Sequence, residues 1–206
     1  MNRETIKKAI SSICEAMEEN RDYLIQLDQQ NGDGDLGVYM CLGFRAVEKY
    51  LEDTDETDLG KLMMKCGSAF NEAAPSSLGT ILSFGFMGMA KPLKGKTDAS
   101  FGEFCDAFEA GLDRIMQRAE SKRGEKTVLD ALCPAADALK ASQDNPMEAL
   151  ASAARAAYEG SEATRTMLAV HGRAARYGEK SIGVLDGGSV AGMLIIQGIA
   201  KSQGVC

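Results

Sequence analysis

Apolar residues recur every three or four positions along most of the chain, which is the spacing of one face of an α-helix. In the first such segment, Ile6, Ile10, Ile13 and Met17 follow this spacing. Regular alternation of apolar and β-branched residues, which would indicate strands, is absent. The pattern therefore predicts eight helices, over residues 4–19, 36–51, 58–71, 77–90, 101–119, 127–142, 146–168 and 189–202.

Polar residues and prolines mark several of the predicted helix ends. Ser100, followed three positions later by Glu103, forms the pattern of a capping box, in which each side chain accepts a bond from the other residue's backbone amide. Pro146 suits the first position of a helix, whereas Pro92 is expected to end the helix that precedes it.

Helices joined by short connections predict an all-α fold: an eight-helix bundle or barrel formed by a single domain over residues 1–206. Three loops rich in glycine and charged residues interrupt the helical pattern, at 28–37, 120–127 and 171–188. Because functional residues concentrate on loops that a rigid scaffold positions, we expect the site to lie on these three loops.

The composition narrows the function classes. The chain is 45% hydrophobic and 26% charged, as globular proteins are. Its net charge is −7 and it has no extended basic run, so we expect no nucleic-acid partner. The apolar stretches near 81–90 and 191–199 are too short to cross a bilayer, and the first residues show no signal-peptide pattern. We therefore expect a cytoplasmic location without membrane association.

Six cysteines and a single histidine bear on metal and redox chemistry. No two cysteines form a C-x-x-C pair, and most lie in apolar helical patterns, so we expect reduced thiols in the core. With one histidine and no paired ligand spacing, a zinc site is not expected. The cysteines are at positions 14, 41, 66, 105, 133 and 206.

Three aspartates within eight residues, Asp28, Asp33 and Asp35, give the strongest chemical signal. Carboxylates this close repel one another unless a cation lies among them, and Mg²⁺ and Ca²⁺ prefer oxygen ligands. The intervening glycines allow the tight turn that convergence needs. An EF-hand is excluded, because Leu36 would occupy the position that requires glycine. A Mg²⁺–nucleotide site and an ordinary Asp-Gly turn both remain open.

A second candidate is the basic loop that contains Arg173, Arg176 and Lys180 among several glycines, followed by Asp-Gly-Gly at 186–188. Backbone amides and cations in one loop bind polyanions such as diphosphates and triphosphates. A solvated basic loop is the alternative. The neighbouring His171 is a candidate phosphate contact, but nothing pairs it for catalysis.

A third candidate comprises small and hydroxyl residues at 73–80, which lead directly into an apolar helix. The amides at the start of that helix offer a phosphate site, and ordinary N-capping explains the same residues. Neither the G-K-[ST] ending of a Walker A loop nor a G-x-G-x-x-G motif occurs in the chain.

Taken in order, these motifs resemble the dihydroxyacetone kinase L subunit, the nucleotide-binding half of dihydroxyacetone kinases. The resemblance covers nearly the whole chain and implies an eight-helix up-and-down barrel with the nucleotide site in loops at one end. The matching segments are D-Q-Q-N-G-D-G-D-L-G at 28–37 with G-F at 43–44, G-E-K-T-V-L-D-A-L-C-P-A at 124–135, G-S-E-A-T-R-T-M at 160–167, and 172–188 with its closing D-G-G.

The resemblance also implies site residues and cofactors. Asp28, Asp33 and Asp35 would hold two Mg²⁺ ions that bridge the phosphates of ADP or ATP, and no catalytic side chain is implied. The residues that would border the nucleotide are Leu36, Tyr39, Ala74, Ser76, Ser77, Thr80, Val128, Arg173, Asp186, Gly187 and Gly188.

The chain departs from the family pattern at three places. The family usually has His at the position of Leu36 and Asn at that of Tyr39. Its G-G-x-S-G-P phosphate loop appears here as Glu-Ala-Ala-Pro-Ser-Ser at 72–77, without the glycine pair. The aspartate triad is intact, so metal binding is affected less than phosphate geometry.

The implied function is that of a phosphotransferase subunit. It transfers a phosphoryl group to dihydroxyacetone, or a related small hydroxyketone, held on a partner K-type subunit. In one branch of the family the donor is ATP, and in the other a phosphocarrier of the phosphotransferase system rephosphorylates bound ADP. A homodimer is also compatible with the sequence. The departures leave a second interpretation open, a non-catalytic regulatory module that binds nucleotide or metal.

Overall fold

A computed structural model describes residues 1–205 and contains nine α-helices. Within this part of the chain there is no strand, and the one isolated β-bridge joins Asn2 to Asp98. The α-helices are α1 (Arg3–Glu19), α2 (Arg21–Asn31), α3 (Leu36–Asp53), α4 (Leu59–Ala73), α5 (Ser77–Leu93), α6 (Phe101–Ala119), α7 (Leu129–Ala141), α8 (Pro146–Ala163) and α9 (Gly187–Ser202), with 3₁₀ helices at Thr164–Thr166 and Ala174–Ser181.

Eight of these helices form a closed ring. The neighbours in the ring follow chain order from α3 to α9, and α1 packs against both α9 and α3 to close it. The short helix α2 lies outside the ring and packs mainly against α3. The ends of α4 and α6 and the starts of α5, α7 and α9 all meet at one cleft, so successive helices alternate in direction. This arrangement confirms the prediction of an all-α eight-helix up-and-down barrel.

The inside of the barrel is apolar. Phe44, Phe70 and Phe86 form a cluster in which the Phe44 and Phe70 ring centroids lie 4.9 Å apart, edge to face. A cavity of about 380 Å³, to which all eight ring helices contribute side chains, lies in this interior. Burial of such rings, and the edge-to-face contact between them, stabilises the barrel.

The helix ends differ from the sequence predictions in identifiable ways. The helix α2 was missed, because only Leu24 and Leu27 are buried in it and its apolar periodicity is weak. Pro92 lies inside α5, which runs on to Leu93, so the predicted end at the proline was wrong. The helix α8 ends at Ala163, five residues before the predicted end at 168, and a 3₁₀ turn follows. The capping box of Ser100 and Glu103 is present.

Five of the six cysteines lie in the part of the chain that the structure describes. Cys14, Cys41, Cys66, Cys105 and Cys133 are free and buried. Cys206 lies outside the described residues. No helix within residues 1–205 combines the length and the apolar character that crossing a bilayer requires.

We predict that Phe70→Ala lowers the free energy of unfolding by about 3–5 kcal/mol, the usual cost of deleting a buried ring. Phe70 is fully buried against two other rings. Met64→Ala on the same helix is the control, because Met64 is 49% exposed and should change stability by less than about 0.5 kcal/mol. Denaturant titration measures both values, and equal losses for the two variants would contradict the assigned packing.

Candidate functional site

One end of the barrel opens into a cleft of about 1180 Å³. Four stretches of the chain line it, all at helix ends or in loops: residues near 27–36, 71–84, 118–128 and 171–188. The three loops singled out from the sequence therefore meet in this one cleft.

The three aspartates converge at the rim of the cleft. One carboxylate oxygen from each of Asp28, Asp33 and Asp35 lies within 4.8 Å of the others, and no other group of three His, Cys, Asp or Glu side chains in residues 1–205 does so. Burial, together with the negative charges of Asp33 and Asp28, raises the pKa of Asp35 above its ordinary value. The cluster is therefore a site at which bound positive charge is favourable.

Asp28 also organises the turn that carries the other two aspartates. Its Oδ2 accepts hydrogen bonds from the backbone amides of Gly34 at 2.8 Å, Asp35 at 3.0 Å and Leu36 at 3.4 Å. These are amides at the start of α3, where helices leave donors unsatisfied. A Cβ on Gly32 would lie 2.1 Å from Asp28 Oδ1, so only glycine fits beside this carboxylate.

A guanidinium from the basic loop reaches the aspartate cluster. Arg173 forms an ion pair with Asp33 Oδ2, and both side chains are partly exposed. Asp33 and Arg173, which are 140 positions apart in the chain, thus meet at the mouth of the cleft. The guanidinium cation of Arg173 lies beside the aspartates for which the sequence predicted a metal ion.

Four helices direct their N-termini into the cleft. Its lining includes Leu36, Ser77 and Gly187, the first residues of α3, α5 and α9, and Val128, which precedes α7. Helix N-termini carry unpaired amides and partial positive charge, and they bind anions such as phosphate. The arrangement favours a ligand with several negative charges.

Two of these helix starts are capped by side chains predicted for the site. Ser76 Oγ accepts a bond from the Gly79 amide at 3.0 Å, and Asp186 Oδ2 accepts one from the Ser189 amide at 2.6 Å. Burial raises the pKa of Asp186 to about 7. The N-capping interpretation of Ser76 therefore holds, while the residue still lines the cleft.

The structure brings most of the predicted site residues together in the cleft. They are Asp28, Asp33, Asp35, Leu36, Ser76, Ser77, Thr80, Val128, Arg173, Asp186, Gly187 and Gly188.

Tyr39 and Ala74 do not contribute to the cleft lining. Tyr39 lies one turn inside α3 and packs against the core. Ala74 is fully buried, and its carbonyl oxygen accepts a hydrogen bond from the Ser76 amide at 2.7 Å. Ala74 therefore supports the turn that contains Ser76 and does not line the cleft itself.

The cleft also contains basic side chains to which the sequence analysis assigned no role. Arg118, at the end of α6, lines the cleft and lies over the Phe84 ring, 5.3 Å from its centroid. Lys126 also lines it, although its side chain is almost entirely buried. The G-E-K-T segment was recognised as a family motif, and this was the only signal for Lys126.

His171 lies in the cleft lining and pairs with a neighbouring loop. Its Nε2 is 2.6 Å from Glu125 Oε2, and the hydrogen bond from His171, together with that from the Lys122 amide, holds the pKa of Glu125 below its ordinary value. The pair joins the connection between α6 and α7 to the basic loop.

The chain belongs to the DAK2 domain family, since residues 30–201 match the model of that domain. This match confirms the family resemblance inferred from the motifs. The ADP-binding subunit DhaL of PEP-dependent dihydroxyacetone kinase 2 from Listeria innocua is 32% identical over 190 residues, which are 90% of this chain and 88% of that protein. The corresponding DhaL subunit from Escherichia coli is 29% identical over 87% of each chain.

Longer proteins contain the same domain. L-erythrulose 1-kinase from Mycolicibacterium smegmatis is 30% identical over 89% of this chain, which corresponds to 33% of its own length. The crystal structure of the C. freundii dihydroxyacetone kinase in its native form has the same fold, with a TM-score of 0.77 and 22% identity over 96% of this chain and 34% of that one. Its complex with AMP-PNP and Mg²⁺ gives a TM-score of 0.74 at 23% identity, over 95% of this chain and 33% of that one.

We predict that Asp28→Ala lowers the free energy of unfolding by about 1–3 kcal/mol, because the amides of Gly34, Asp35 and Leu36 lose their acceptor. Asp33→Ala is the matched control. It removes only a partly exposed ion pair and should cost less than about 1 kcal/mol. Urea titration of the metal-free proteins measures the difference, and equal losses would show that Asp28 does not organise the turn.

Proposed function

We propose that the chain is the nucleotide-binding subunit of a dihydroxyacetone kinase-type phosphotransferase. It binds Mg²⁺ with ADP or ATP in the cleft, and a phosphoryl group passes to dihydroxyacetone or a related small hydroxyketone held on a partner K-type subunit. The observation that carries the proposal is the convergence of three carboxylates and the Arg173 guanidinium in a cleft that four helix N-termini surround.

The donor atoms of the aspartate cluster suit Mg²⁺. Oxygen ligands of a single octahedral Mg²⁺ lie up to about 4.2 Å apart, twice a metal–oxygen distance of about 2.1 Å. The carboxylate oxygens of Asp28, Asp33 and Asp35 already lie within 4.8 Å of one another, so small side-chain rotations would satisfy that geometry. A guanidinium already occupies the position of a cation beside Asp33. Two ions, as the family resemblance implies, belong to the same proposal.

Different groups in the cleft would bind different parts of the polyphosphate. The aspartates would hold Mg²⁺, which when bound would supply positive charge against the phosphate oxygens. The helix starts at Ser77 and Gly187 present backbone amides to phosphate oxygens. Arg173, once Asp33 is engaged by the metal, is free to contact a phosphate. Positioning of this kind supplies most of the catalysis in phosphoryl transfer.

The names of several relatives support a partner subunit and a phosphoryl donor as part of the proposal. Three of the relatives are named as ADP-binding subunits of PEP-dependent or PTS-dependent dihydroxyacetone kinases. We therefore propose a K-type partner that carries the hydroxyketone and a phosphocarrier protein that rephosphorylates bound ADP, with direct use of ATP as the alternative donor route.

A non-catalytic regulatory module is the second candidate. Leu36 stands at the mouth of the cleft, and a Cβ on Gly187 would lie 2.7 Å from its Cδ2, so the leucine fills space beside the start of α9. The phosphate loop at 72–77 also lacks the usual glycine pair. These departures favour altered phosphate geometry with the metal cluster retained.

We predict that the purified protein binds Mg–ADP and that Asp35→Asn weakens this binding by more than about tenfold, because a charged contact contributes about 1.5–3 kcal/mol. Asp144→Asn is the control, since Asp144 is exposed and lies in the α7–α8 connection, at the far end of the barrel. Calorimetry with and without Mg²⁺ measures both affinities. Denaturation of the purified protein, followed by chromatography of the supernatant, tests for nucleotide carried through purification.

A transfer assay separates the two candidate functions. Subunit loaded with Mg–ATP and mixed with a K-type subunit carrying dihydroxyacetone should yield the phosphorylated ketone. Tight Mg–ADP binding without transfer, from either ATP or a phosphocarrier, would favour the regulatory module. Absence of nucleotide binding in the presence of Mg²⁺ would overturn the proposed function.

We further predict that Arg173→Ala weakens Mg–ADP binding by about 1–3 kcal/mol, through loss of a charged hydrogen bond to phosphate. Binding of Mg²⁺ alone should not weaken, because Arg173 competes with the metal for Asp33. Arg155→Ala, which removes an exposed arginine of α8, is the control. If Mg²⁺ and Mg–ADP lose affinity equally, the role of Arg173 at the phosphate is wrong.

A further inference from the structure

Lys126 has an unusual environment for a lysine. It lies in the connection between α6 and α7, at the wall of the cleft, and only 3% of it is exposed. Its backbone has a φ of +62°, in the left-handed region that is strained for a residue with a side chain. Contacts elsewhere must hold the residue in this conformation.

The contacts are hydrogen bonds from the ammonium group to backbone carbonyls. Lys126 Nζ lies 2.6 Å from the oxygen of Val184, 2.7 Å from that of Ser181 and 2.8 Å from that of Thr164, and a fourth carbonyl, of Met167, lies at 3.3 Å. An ammonium has three N–H donors, so the three short bonds use all of them. The carbonyls form a cage of the kind that suits a small monovalent cation.

All four carbonyls belong to one segment, residues 164–184, which we call the Arg173 segment. It connects α8 to α9 and contains only short 3₁₀ turns. Other hydrogen bonds also hold it: the Gly183 amide donates to the Arg165 carbonyl at 2.7 Å, the Ala169 amide donates to Ser181 Oγ at 3.1 Å, and the Asp186 amide donates to Thr164 Oγ1 at 3.1 Å. Without the ammonium, the carbonyls of Ser181 and Val184 would lose their hydrogen-bond donor, which is costly for buried groups.

The connection that carries Lys126 is itself fixed. Asp130, near the start of α7, accepts bonds from the Gly124 amide at 2.5 Å and the Thr127 amide at 2.7 Å. Glu125 holds the outer side of the Arg173 segment through His171. The adjacent residues Glu125 and Lys126 therefore contact the Arg173 segment on opposite sides. Glu125 contacts its outer side through His171, and Lys126 contacts its inner side through the carbonyls.

Within residues 1–205, no carboxylate forms an ion pair with the Lys126 ammonium. Every hydrogen bond of its ammonium goes to a neutral carbonyl, and burial lowers its pKa, although the nearby Asp186 opposes this effect. A positive charge at the wall of a cleft attracts anions, because low-dielectric surroundings screen it weakly.

We propose that Lys126 is a positioning residue for the polyphosphate: its ammonium fills a carbonyl cage, fixes the Arg173 segment so that Arg173 faces Asp33, and contributes positive charge at the wall of the cleft. The inference rests on the proposed function for its ligand. The order of the segment, by contrast, depends on Lys126 whether or not a nucleotide binds.

The first experiment compares two lysines of the same connection. Lys126→Met keeps an unbranched apolar stem and removes only the ammonium, and Lys122→Met removes an exposed charge four residues away. We expect Lys126→Met to weaken Mg–ADP binding by about tenfold or more, and to speed amide hydrogen exchange in residues 164–184 but not in α5. Lys122→Met should change the affinity by less than about twofold. Unchanged affinity and exchange in Lys126→Met would overturn the proposal.

Chemical rescue separates the caged donor from a general structural effect. Lys126→Ala retains Cβ, so n-propylammonium supplies the missing atoms and three N–H donors. It should restore Mg–ADP affinity and slow exchange in the segment, whereas tetramethylammonium, which has the charge but no donor, should not. Equal effects of the two ions, or no effect of either, would contradict the proposal that hydrogen bonds from the ammonium to the carbonyls hold the segment.

If the variants do not fold, a measurement on the wild-type protein tests whether the Lys126 ammonium is held by the carbonyls. A caged ammonium should give one lysine ¹⁵N resonance whose attached protons exchange slowly at neutral pH, and that resonance should shift on addition of Mg–ADP. Its absence would overturn the proposal. If wild-type protein does not bind Mg–ADP, the proposed function fails, and the exchange and resonance measurements alone decide the role of Lys126.

Discussion

Repulsion among three carboxylates is the main electrostatic constraint on the arrangement of residues at the cleft. Asp28, Asp33 and Asp35 lie close enough to disfavour one another, and burial adds to the cost at Asp35. Two features of the chain offset that cost: the amides at the start of α3 bond to Asp28, and the Arg173 guanidinium pairs with Asp33. The amides and the guanidinium that hold the three carboxylates together therefore also compensate part of their negative charge.

The sequence predicted the ring of helices and most of the cleft, because both depend on local patterns. Apolar spacing identified the eight ring helices, and glycines with charged residues identified the loops at one end. The helix α2 escaped prediction because it buries only Leu24 and Leu27. It places Asp28 on its last turn, so one metal-ligand candidate belongs to a rigid helix. The position of Asp28 explains why one carboxylate can both cap α3 and face the cleft.

Contacts between distant parts of the chain could not be predicted from the sequence. Nothing in the spacing around Lys126 indicates that its ammonium meets carbonyls 38 to 58 residues further along the chain. For the same reason, the motif resemblance placed Ala74 beside the nucleotide, whereas the fold buries it behind the turn that contains Ser76. Local motifs identify which loops meet, and tertiary packing decides which side chains face the cleft.

The ring is closed by its most distant members, since α1 packs against α9. The helix α9 also begins with the Asp186 and Gly187 that line the cleft. During synthesis, the earlier helices emerge from the ribosome well before α9, so they expose apolar inner faces until it arrives. The pairing of α1 with α9 requires the closure of a long loop, which slows folding. A nascent chain therefore completes this cleft only after α9 has been synthesised.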